Sequence, residues 1–193
     1  MCTGASLAGM WRGELTFMAL MEGNAGCHPS LSKAPASRFI YGAFVKAPKL
    51  TIELVPRSAW FKNLRSMIPP EQWDSLRRGT YRRVGYKCEI CGGVGPRHPV
   101  ECHEKWEYDD ANHIANLVGL YGLCPACHEV KHIGLAQING RLPQAIVHLA
   151  AINGLTERQS RGMVKEAFEV WERRSQHGWT VNIDWARNKL MVP

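Results

Sequence analysis

The sequence has no apolar run long enough to cross a bilayer, no internal repeat and no low-complexity tract. A membrane-spanning helix needs about 20 consecutive apolar residues, and solenoid folds need a recurring unit. The first residues also lack the basic segment that precedes the apolar stretch of a secretory signal. These absences argue against membrane and repeat architectures, and we expect a globular protein of the cytoplasm with no membrane partner.

An even, regularly spread set of cysteines is also lacking. The chain has seven cysteines, and those at positions 88, 91, 102, 124 and 127 are crowded into one stretch. A disulfide scaffold spreads an even number of cysteines along a shorter chain. The distribution therefore favours metal binding over disulfide bonding.

Negative charge is in short supply. The chain has 24 Lys and Arg against 17 Asp and Glu, a formal net charge of +7, and the excess is concentrated between residues 56 and 87. Basic surfaces attract polyanions through counterion release, although basic helix faces are also common without such a partner. The candidate phosphate contacts in this segment are Arg77, Arg78, Arg82 and Arg83.

The length of 193 residues suits one domain with short extensions. We expect a loosely ordered extension at 1–47, a single domain over 48–188 and a tail at 189–193. Within the domain, the predicted core spans 85–134 and the C-terminal helices lie within 142–177. Helical periodicity predicts helices over 71–84, 142–151 and 157–175. Alternating apolar residues predict two terminal strands, at 50–54 and 179–185, which we expect to pair.

Two CxxC pairs carry the strongest chemical signal. Cys88 and Cys91 form the first pair, and Cys124 and Cys127 form the second, with 32 residues between the pairs. Each pair offers two thiolates to one tetrahedral zinc ion, where a Zn–S bond is about 2.3 Å. The two glycines after the first pair suit a zinc knuckle, in which a side chain would crowd the turn. We predict a structural zinc held by these four residues, the four-cysteine cluster.

Other metal and redox motifs overlap the second pair without fitting the whole pattern. The sequence Cys-Pro-Ala-Cys-His at 124–128 also matches a c-type haem attachment and a thioredoxin-like pair, but neither accounts for the first CxxC pair. A zinc deaminase requires H-x-E and P-C-x-x-C. Here the His and Glu at 103 and 104 are adjacent, and the proline lies inside the pair. We therefore set these motifs aside.

Histidines are concentrated beside the four-cysteine cluster, because five of the eight lie between residues 98 and 132. We predict a helix from residue 125 to about 133, ending before Gly134. That helix would place His128 and His132 at i and i+4, on one face, where they could hold a second metal. Two solvent-exposed histidines are the alternative.

The combination resembles the zinc-clasped HNH endonucleases over about 45 residues. The similar elements are Cys88-x-x-Cys91, Val-Glu-Cys-His-Glu at 100–104, and the run from 123 to 132. The resemblance implies an α+β protein with a ββα-metal, treble-clef-like HNH core and a zinc knuckle, flanked by helices. It also implies a metal-dependent endonuclease that hydrolyses phosphodiester bonds in nucleic acid, with DNA as the expected form.

The resemblance also implies roles for individual residues. His103 would be the general base, and His128 and His132 would bind one catalytic divalent metal: Mg²⁺, Mn²⁺, Ni²⁺ or Zn²⁺. Lys131 would add positive charge near the phosphate. A water molecule activated by His103 would attack phosphorus while the metal stabilises the transition state.

The sequence departs from the family pattern at the residue before the base. Cys102 occupies a position that usually holds a metal-binding Asp or His. As a thiolate it would favour a soft ion such as Zn²⁺, and as a thiol it would be a packed strand residue. An alternative register makes His103 the metal ligand and Glu104 the base.

The middle Asn of the family is also missing. Its position falls at Gly119, and Asn112 and Asn116 are the nearest candidates to replace it. These departures keep open a second function, a catalytically inactive zinc module that binds nucleic acid or protein.

Overall fold

The computed structural model describes residues 47–191, and one compact unit begins at Pro48. Of the extension predicted at 1–47, residues 1–46 lie outside the described part, as do the final two residues of the chain. Residues 47–191 form an α+β arrangement, the class that was predicted. The helices are α1 (Leu64–Met67), α2 (Pro70–Arg83), α3 (Pro125–Lys131), α4 (Ile133–Ile138), α5 (Leu142–Asn153), α6 (Glu157–Ser175) and α7 (Asp184–Met191), and the strands are β1 (Glu101–Asp109), β2 (Ile114–Leu123) and β3 (Thr180–Asn182).

The three long helices form where periodicity predicted them, as α2, α5 and α6. Helix α2 begins with Pro70 at its first position, where the missing N–H costs no hydrogen bond. Helix α6 begins with a capping box, in which Gln159 N donates to Thr156 Oγ1 over 3.2 Å and Thr156 N donates to Gln159 Oε1 over 2.9 Å. These reciprocal bonds satisfy backbone donors of the first turn.

Strands β1 and β2 form an antiparallel hairpin that runs directly into α3. His103 pairs with Tyr121, and Glu101 pairs with Leu123, immediately before the second CxxC pair. The tight connection at 110–113 places His113 at a φ of 53°. A bulge between Lys105 and Trp106 shifts the register farther along the hairpin. The first strand of the hairpin and the helix that follows its second strand therefore carry His103 and His128.

The predicted pairing of two terminal strands is wrong. Strand β3 lies parallel to β2, while residues 50–54 form no strand. The backbone of Leu50 is instead bound by a side chain, because Leu50 N donates to Asn153 Oδ1 over 3.0 Å and Asn153 Nδ2 donates to Leu50 O over 2.8 Å. The apolar alternation at 50–54 thus reflects packing against helices rather than a sheet.

The end of the chain also differs from the prediction. The strand predicted over 179–185 covers only β3, since Asn182 Oδ1 accepts from Asp184 N over 2.8 Å and α7 starts there. Helix α7 continues to Met191, past the boundary predicted near residue 188.

The helix predicted over 125–133 is shorter, and a second helix follows it. Helix α3 ends at Lys131, His132 takes a φ of −101° and a ψ of 45°, and α4 then runs through Gly134. The chain continues as helix because Ile133 and Ala136 are buried in the core. His132 N still donates to His128 O over 3.1 Å, so the two histidines remain one turn apart.

The sheet separates two apolar layers. On one face, α1, α2 and α7 bury Leu64, Leu117 and Ile183. A larger cluster joins the four cysteines to α3, α4, α5 and α6, with Leu123 and Leu149 fully buried in it. Among the helices of residues 47–191, none combines the length and the hydrophobicity that a bilayer crossing requires.

Candidate metal centre

The four cysteines come together as predicted. Cys88 and Cys91 lie in the loop after α2, while Cys124 caps α3 and Cys127 lies in its first turn. One Sγ from each residue lies within 4.8 Å of the other three, and Cys91 Sγ is 3.5 Å from Cys124 Sγ. Four sulfurs at this spacing could bind a structural metal such as zinc.

The loop around the first CxxC pair has the features of a knuckle. Gly92 has a φ of 74°, a conformation that favours glycine. Gly93 N then donates to Cys91 Sγ over 3.3 Å, and Cys88 N donates to Gly93 O over 2.9 Å. Backbone N–H groups directed at a sulfur stabilise its thiolate form, which is the form that binds metal.

Three thiols of the cluster, those of Cys88, Cys124 and Cys127, differ in how readily they ionise when no cation is bound. Hydrogen bonding from Cys127 lowers the pKa of Cys88 to about 4, whereas burial raises the pKa of Cys124 to about 11. The pKa of Cys127 is also raised, first by its hydrogen bond to Cys88 and then by burial. A bound dication would favour the thiolate form of each, so metal binding should release protons.

The second cluster consists of three histidines. His103 comes from β1, His128 from α3, and His132 from the junction of α3 and α4. One ring nitrogen of each lies within 4.8 Å of the other two, and the Nε2 atoms of His128 and His132 are 3.1 Å apart. Bonds of 2.0–2.1 Å to one tetrahedral ion would place two nitrogens about 3.3 Å apart. The donor set and its spacing therefore fit a divalent ion.

The pKa values of His128 and His132 are both lowered, which favours the neutral form that binds metal. Partial desolvation, together with the neighbouring His128 and His103 rings, lowers the pKa of His132 to about 3. Burial and the nearby His103 also lower the pKa of His128. A neutral imidazole keeps a lone pair for an ion at physiological pH.

Carboxylates contact the rings of this cluster from two sides. His128 Nδ1 donates to Glu101 Oε2, and His98 Nε2 lies 2.6 Å from Glu101 Oε1. Because His128 Nδ1 is bonded to Glu101, Nε2 is the nitrogen of His128 that can bind an ion. Metal-binding histidines commonly show this arrangement. Glu53 Oε2 lies 3.8 Å from His103 Nε2. Burial alone would raise the pKa of Glu53, but His103 and the charge of Lys131 hold it below its ordinary value.

Cys102 and Glu104 do not join the histidines, because neighbouring strand residues point to opposite faces. Cys102 packs beside Leu117 in the layer under α2, and burial raises the pKa of its thiol to about 12. Glu104 Oε1 accepts from Leu64 N over 2.6 Å, and its Oε2 accepts from Trp106 Nε1 over 3.1 Å. The structure thus disfavours Cys102 as a ligand and Glu104 as a base.

Lys131 is not a solvent-facing cation. Only 2% of its side chain is exposed, and its Nζ pairs with Glu53 Oε1 and donates to Thr51 Oγ1 over 2.8 Å. The ammonium group also lies 5.4 Å from the centre of the Tyr121 ring. Lys131 therefore balances a largely buried carboxylate, and the predicted phosphate contact is wrong for this arrangement.

The arginines of α2 lie in the layer opposite His103. Helix α2 covers the face of the hairpin that carries Cys102. Val84, at the end of α2, lies so close to this face that a Cβ added to Gly122 would be 2.6 Å from Val84 Cγ2. Arg83 links α2 to the hairpin, since it pairs with Glu89 over 2.6 Å and donates to Leu120 O over 2.7 Å. Arg77 and Arg78 both pair with Asp74, and Arg82 is exposed. The predicted path of arginines into the histidine cluster is therefore not formed.

The candidates for the missing Asn also lie elsewhere. Asn112 is in the hairpin turn, where its Nδ2 donates to Asp109 Oδ2 over 2.7 Å. Asn116 Oδ1 accepts from Asn182 Nδ2 over 3.3 Å at the edge shared with β3. Gly119 itself pairs with Lys105, and a Cβ there would make only an ordinary contact at 3.9 Å. The structure brings no Asn of the described residues to the family position.

Two carboxylates beside the histidines, those of Glu101 and Glu53, were not among the predicted site residues. Glu101 precedes His103 by two residues, so strand alternation alone could have placed it on the same face. No local pattern linked Glu53 to the histidines, because it lies 50 positions before His103. Its segment was also predicted to form a strand paired with 179–185, which it does not. His148 Nε2 was likewise not predicted to lie 3.2 Å from Cys127 Sγ.

Comparison with known protein families, with curated proteins and with solved structures finds no match to this chain. Any functional conclusion therefore depends on the two clusters and their surroundings.

Proposed function

We propose that this chain is a metal-dependent endonuclease of the HNH kind, which hydrolyses phosphodiester bonds in DNA or a related nucleic acid. The observation that carries the proposal is the convergence of His103, His128 and His132 beside the four-cysteine cluster. A zinc module that served only as a scaffold would not need three histidines with mutually facing nitrogens. The hairpin that runs directly into α3 supports a ββα-metal core.

His128 and His132 would hold the divalent ion, and His103 would act as the base. A bound ion would supply Lewis acidity and neutralise charge on the phosphate. His103 faces the other two rings from β1, with ring centroids 5.2 Å and 4.9 Å away. From there its imidazole can take a proton from a water molecule attacking phosphorus.

Lys105 replaces Lys131 as the cation expected to meet the phosphate. It lies two positions after His103, on the same strand face, and its Nζ is 5.5 Å from the centre of the Tyr121 ring. Among the described residues it has no ion-pair partner, whereas Lys131 is paired and buried. Its charge is therefore available to a polyanion.

The direct test is cleavage of supercoiled plasmid by purified protein with Mn²⁺, Mg²⁺, Ni²⁺ or Zn²⁺. We expect nicked or linear product with at least one metal, and a loss of about 100-fold or more in His103→Ala, because a general base contributes roughly that factor. His177→Ala is the matched control, since His177 is exposed and stacks on His113 instead. Equal inactivity of wild type and His103→Ala with every metal would favour the inactive zinc module.

The two registers of the motif make different predictions for Glu104. We expect Glu104→Gln to cleave nearly as fast as wild type, because the Glu104 carboxylate is occupied by Leu64 N and Trp106 Nε1. If Glu104 were the base, its loss would slow cleavage by about 100-fold or more. Cleavage rates should be compared at saturating metal, with metal affinity measured separately for His103→Ala. A base leaves that affinity nearly unchanged, and a ligand does not.

A further inference from the structure

Two buried polar atoms face each other at the histidine cluster without a hydrogen-bond partner. His103 Nε2 and Glu53 Oε2 are 3.8 Å apart, and neither is bonded to any other described residue. His103 is only 7% exposed, so water does not satisfy this nitrogen. Buried polar groups are almost always bonded in folded proteins, so this pair calls for an explanation.

Glu53 is held in place by contacts on both sides. Its Oε1 accepts from Lys131 Nζ and from Thr51 Oγ1, the latter over 3.3 Å. The segment that carries it is fixed before Glu53 by the two hydrogen bonds between Leu50 and Asn153. After Glu53 it is fixed by Trp171, whose Nε1 donates to Val55 O over 3.0 Å. The carboxylate therefore presents Oε2 to His103 from a defined position.

Two other roles for Glu53 fit the structure less well. As a metal ligand it would have to join the three histidines, but the set of ligand atoms within 4.8 Å of one another does not include its carboxylate. The ammonium of Lys131 on the same carboxylate would also repel a dication. As a general base it would need contact with water, yet Oε2 is buried.

We propose that Glu53 is a positioning residue that fixes the tautomer and orientation of His103. The Nε2–H of His103 is donated to Glu53 Oε2 when their separation closes from 3.8 Å to the usual range of about 2.7–3.2 Å. His103 Nδ1 is then the unprotonated nitrogen. The proposal rests on the proposed function only in its last step, in which Nδ1 takes the proton of the attacking water and Glu53 stabilises the resulting imidazolium.

Glu53→Gln should reverse the tautomer of His103. The ammonium of Lys131 can only donate hydrogen bonds, so it would donate to the amide oxygen of the new glutamine side chain. The amide NH₂ would then face His103 Nε2 and donate to it, which moves the ring proton to Nδ1. A protonated Nδ1 cannot accept a proton from water, so the base would be lost although every other group remains.

Long-range proton–nitrogen NMR of the full chain, labelled with ¹⁵N-histidine and lacking added divalent metal, reads the tautomer directly. We expect Nε2–H in wild type and Nδ1–H in Glu53→Gln, together with a fall in kcat of about 100-fold and an unchanged Kd for Mn²⁺. Glu107→Gln, which removes an exposed carboxylate of the same strand, should change none of these.

An Nδ1–H tautomer in wild type would overturn the proposal without any variant, and so would an Nε2–H tautomer and wild-type kcat in Glu53→Gln. A fall of equal size in metal affinity would instead make Glu53 a ligand and refute its positioning role. If the protein cuts no nucleic acid yet the tautomer reverses, the nuclease proposal fails and the positioning of His103 by Glu53 stands.

Discussion

Cys88→Ser is expected to leave residues 48–191 largely unfolded at room temperature. A structural zinc contributes on the order of 10–16 kcal/mol of apparent binding energy at pH 7, which is as large as the whole stability of an ordinary domain, about 5–15 kcal/mol. Cys88, Cys124 and Cys127 also lie inside the main apolar cluster. Losing the ion would leave thiols in the core with no cation to join the loop after α2 to α3.

Circular dichroism and zinc content after dialysis would measure this effect. Wild type should retain one zinc per chain, while Cys88→Ser should lose both the metal and the cooperative thermal transition. Cys102→Ser is the matched control, because Cys102 packs under α2 outside the four-cysteine cluster. Cys102→Ser should keep its zinc. Its free energy of unfolding should fall by about 1 kcal/mol, which is typical of single substitutions. A folded, metal-free Cys88→Ser protein would refute the structural role of zinc.

The parts of the site that sequence alone could predict are those set by local spacing. A CxxC pair brings two sulfurs together wherever it occurs, and residues four apart on a helix share a face. The four-cysteine cluster and the approach of His128 to His132 follow from these rules. The approach of His128 to His132 is preserved even though α3 ends at Lys131 instead of continuing to residue 133.

The parts that could not be predicted depend on which face of a strand is covered. Residues 101–104 include candidate ligands and bases on both faces of the strand, because 101 and 103 point to one face and 102 and 104 to the other. Periodicity alone does not say which of the two faces is covered by other elements. Helix α2 covers the Cys102 and Glu104 side, which leaves Glu101 and His103 facing α3. That choice is made by packing of residues such as Trp73 and Leu76, far from the motif.

The contact between Lys131 and Glu53 could not be predicted either, because it joins residues that are far apart in the sequence. The two residues are 78 positions apart, and no local pattern connects them. Lys131 stands between two histidines of the motif, so its position suggested a solvent-facing cation. In the structure it is among the most buried side chains of the described residues, because the segment at 48–56 lies across it and supplies Glu53.

Lys131→Met is therefore expected to destabilise the domain by about 3–5 kcal/mol, the usual cost of removing one partner of a buried ion pair. The methionine side chain fills similar space, but the Glu53 carboxylate, only 20% exposed, would lose its counter-charge. Urea denaturation at neutral pH should show a lower midpoint without a change in slope. Arg141→Met is the matched control, because its pair with Glu129 is at the surface, with 56% of the arginine exposed, and such pairs contribute about 0–1 kcal/mol.

A second substitution separates the loss of charge balance from the loss of packing. In Lys131→Met with Glu53→Gln, no uncompensated carboxylate remains, so much of the stability lost in Lys131→Met should return. If the double variant is no more stable than the single one, the cost lies in packing around Tyr121 and Val130 rather than in the buried charge. A Lys131→Met protein as stable as Arg141→Met would contradict the burial of the pair itself. Recovery in the double variant would show that the main contribution of Lys131 to stability is to balance the Glu53 carboxylate beside His103.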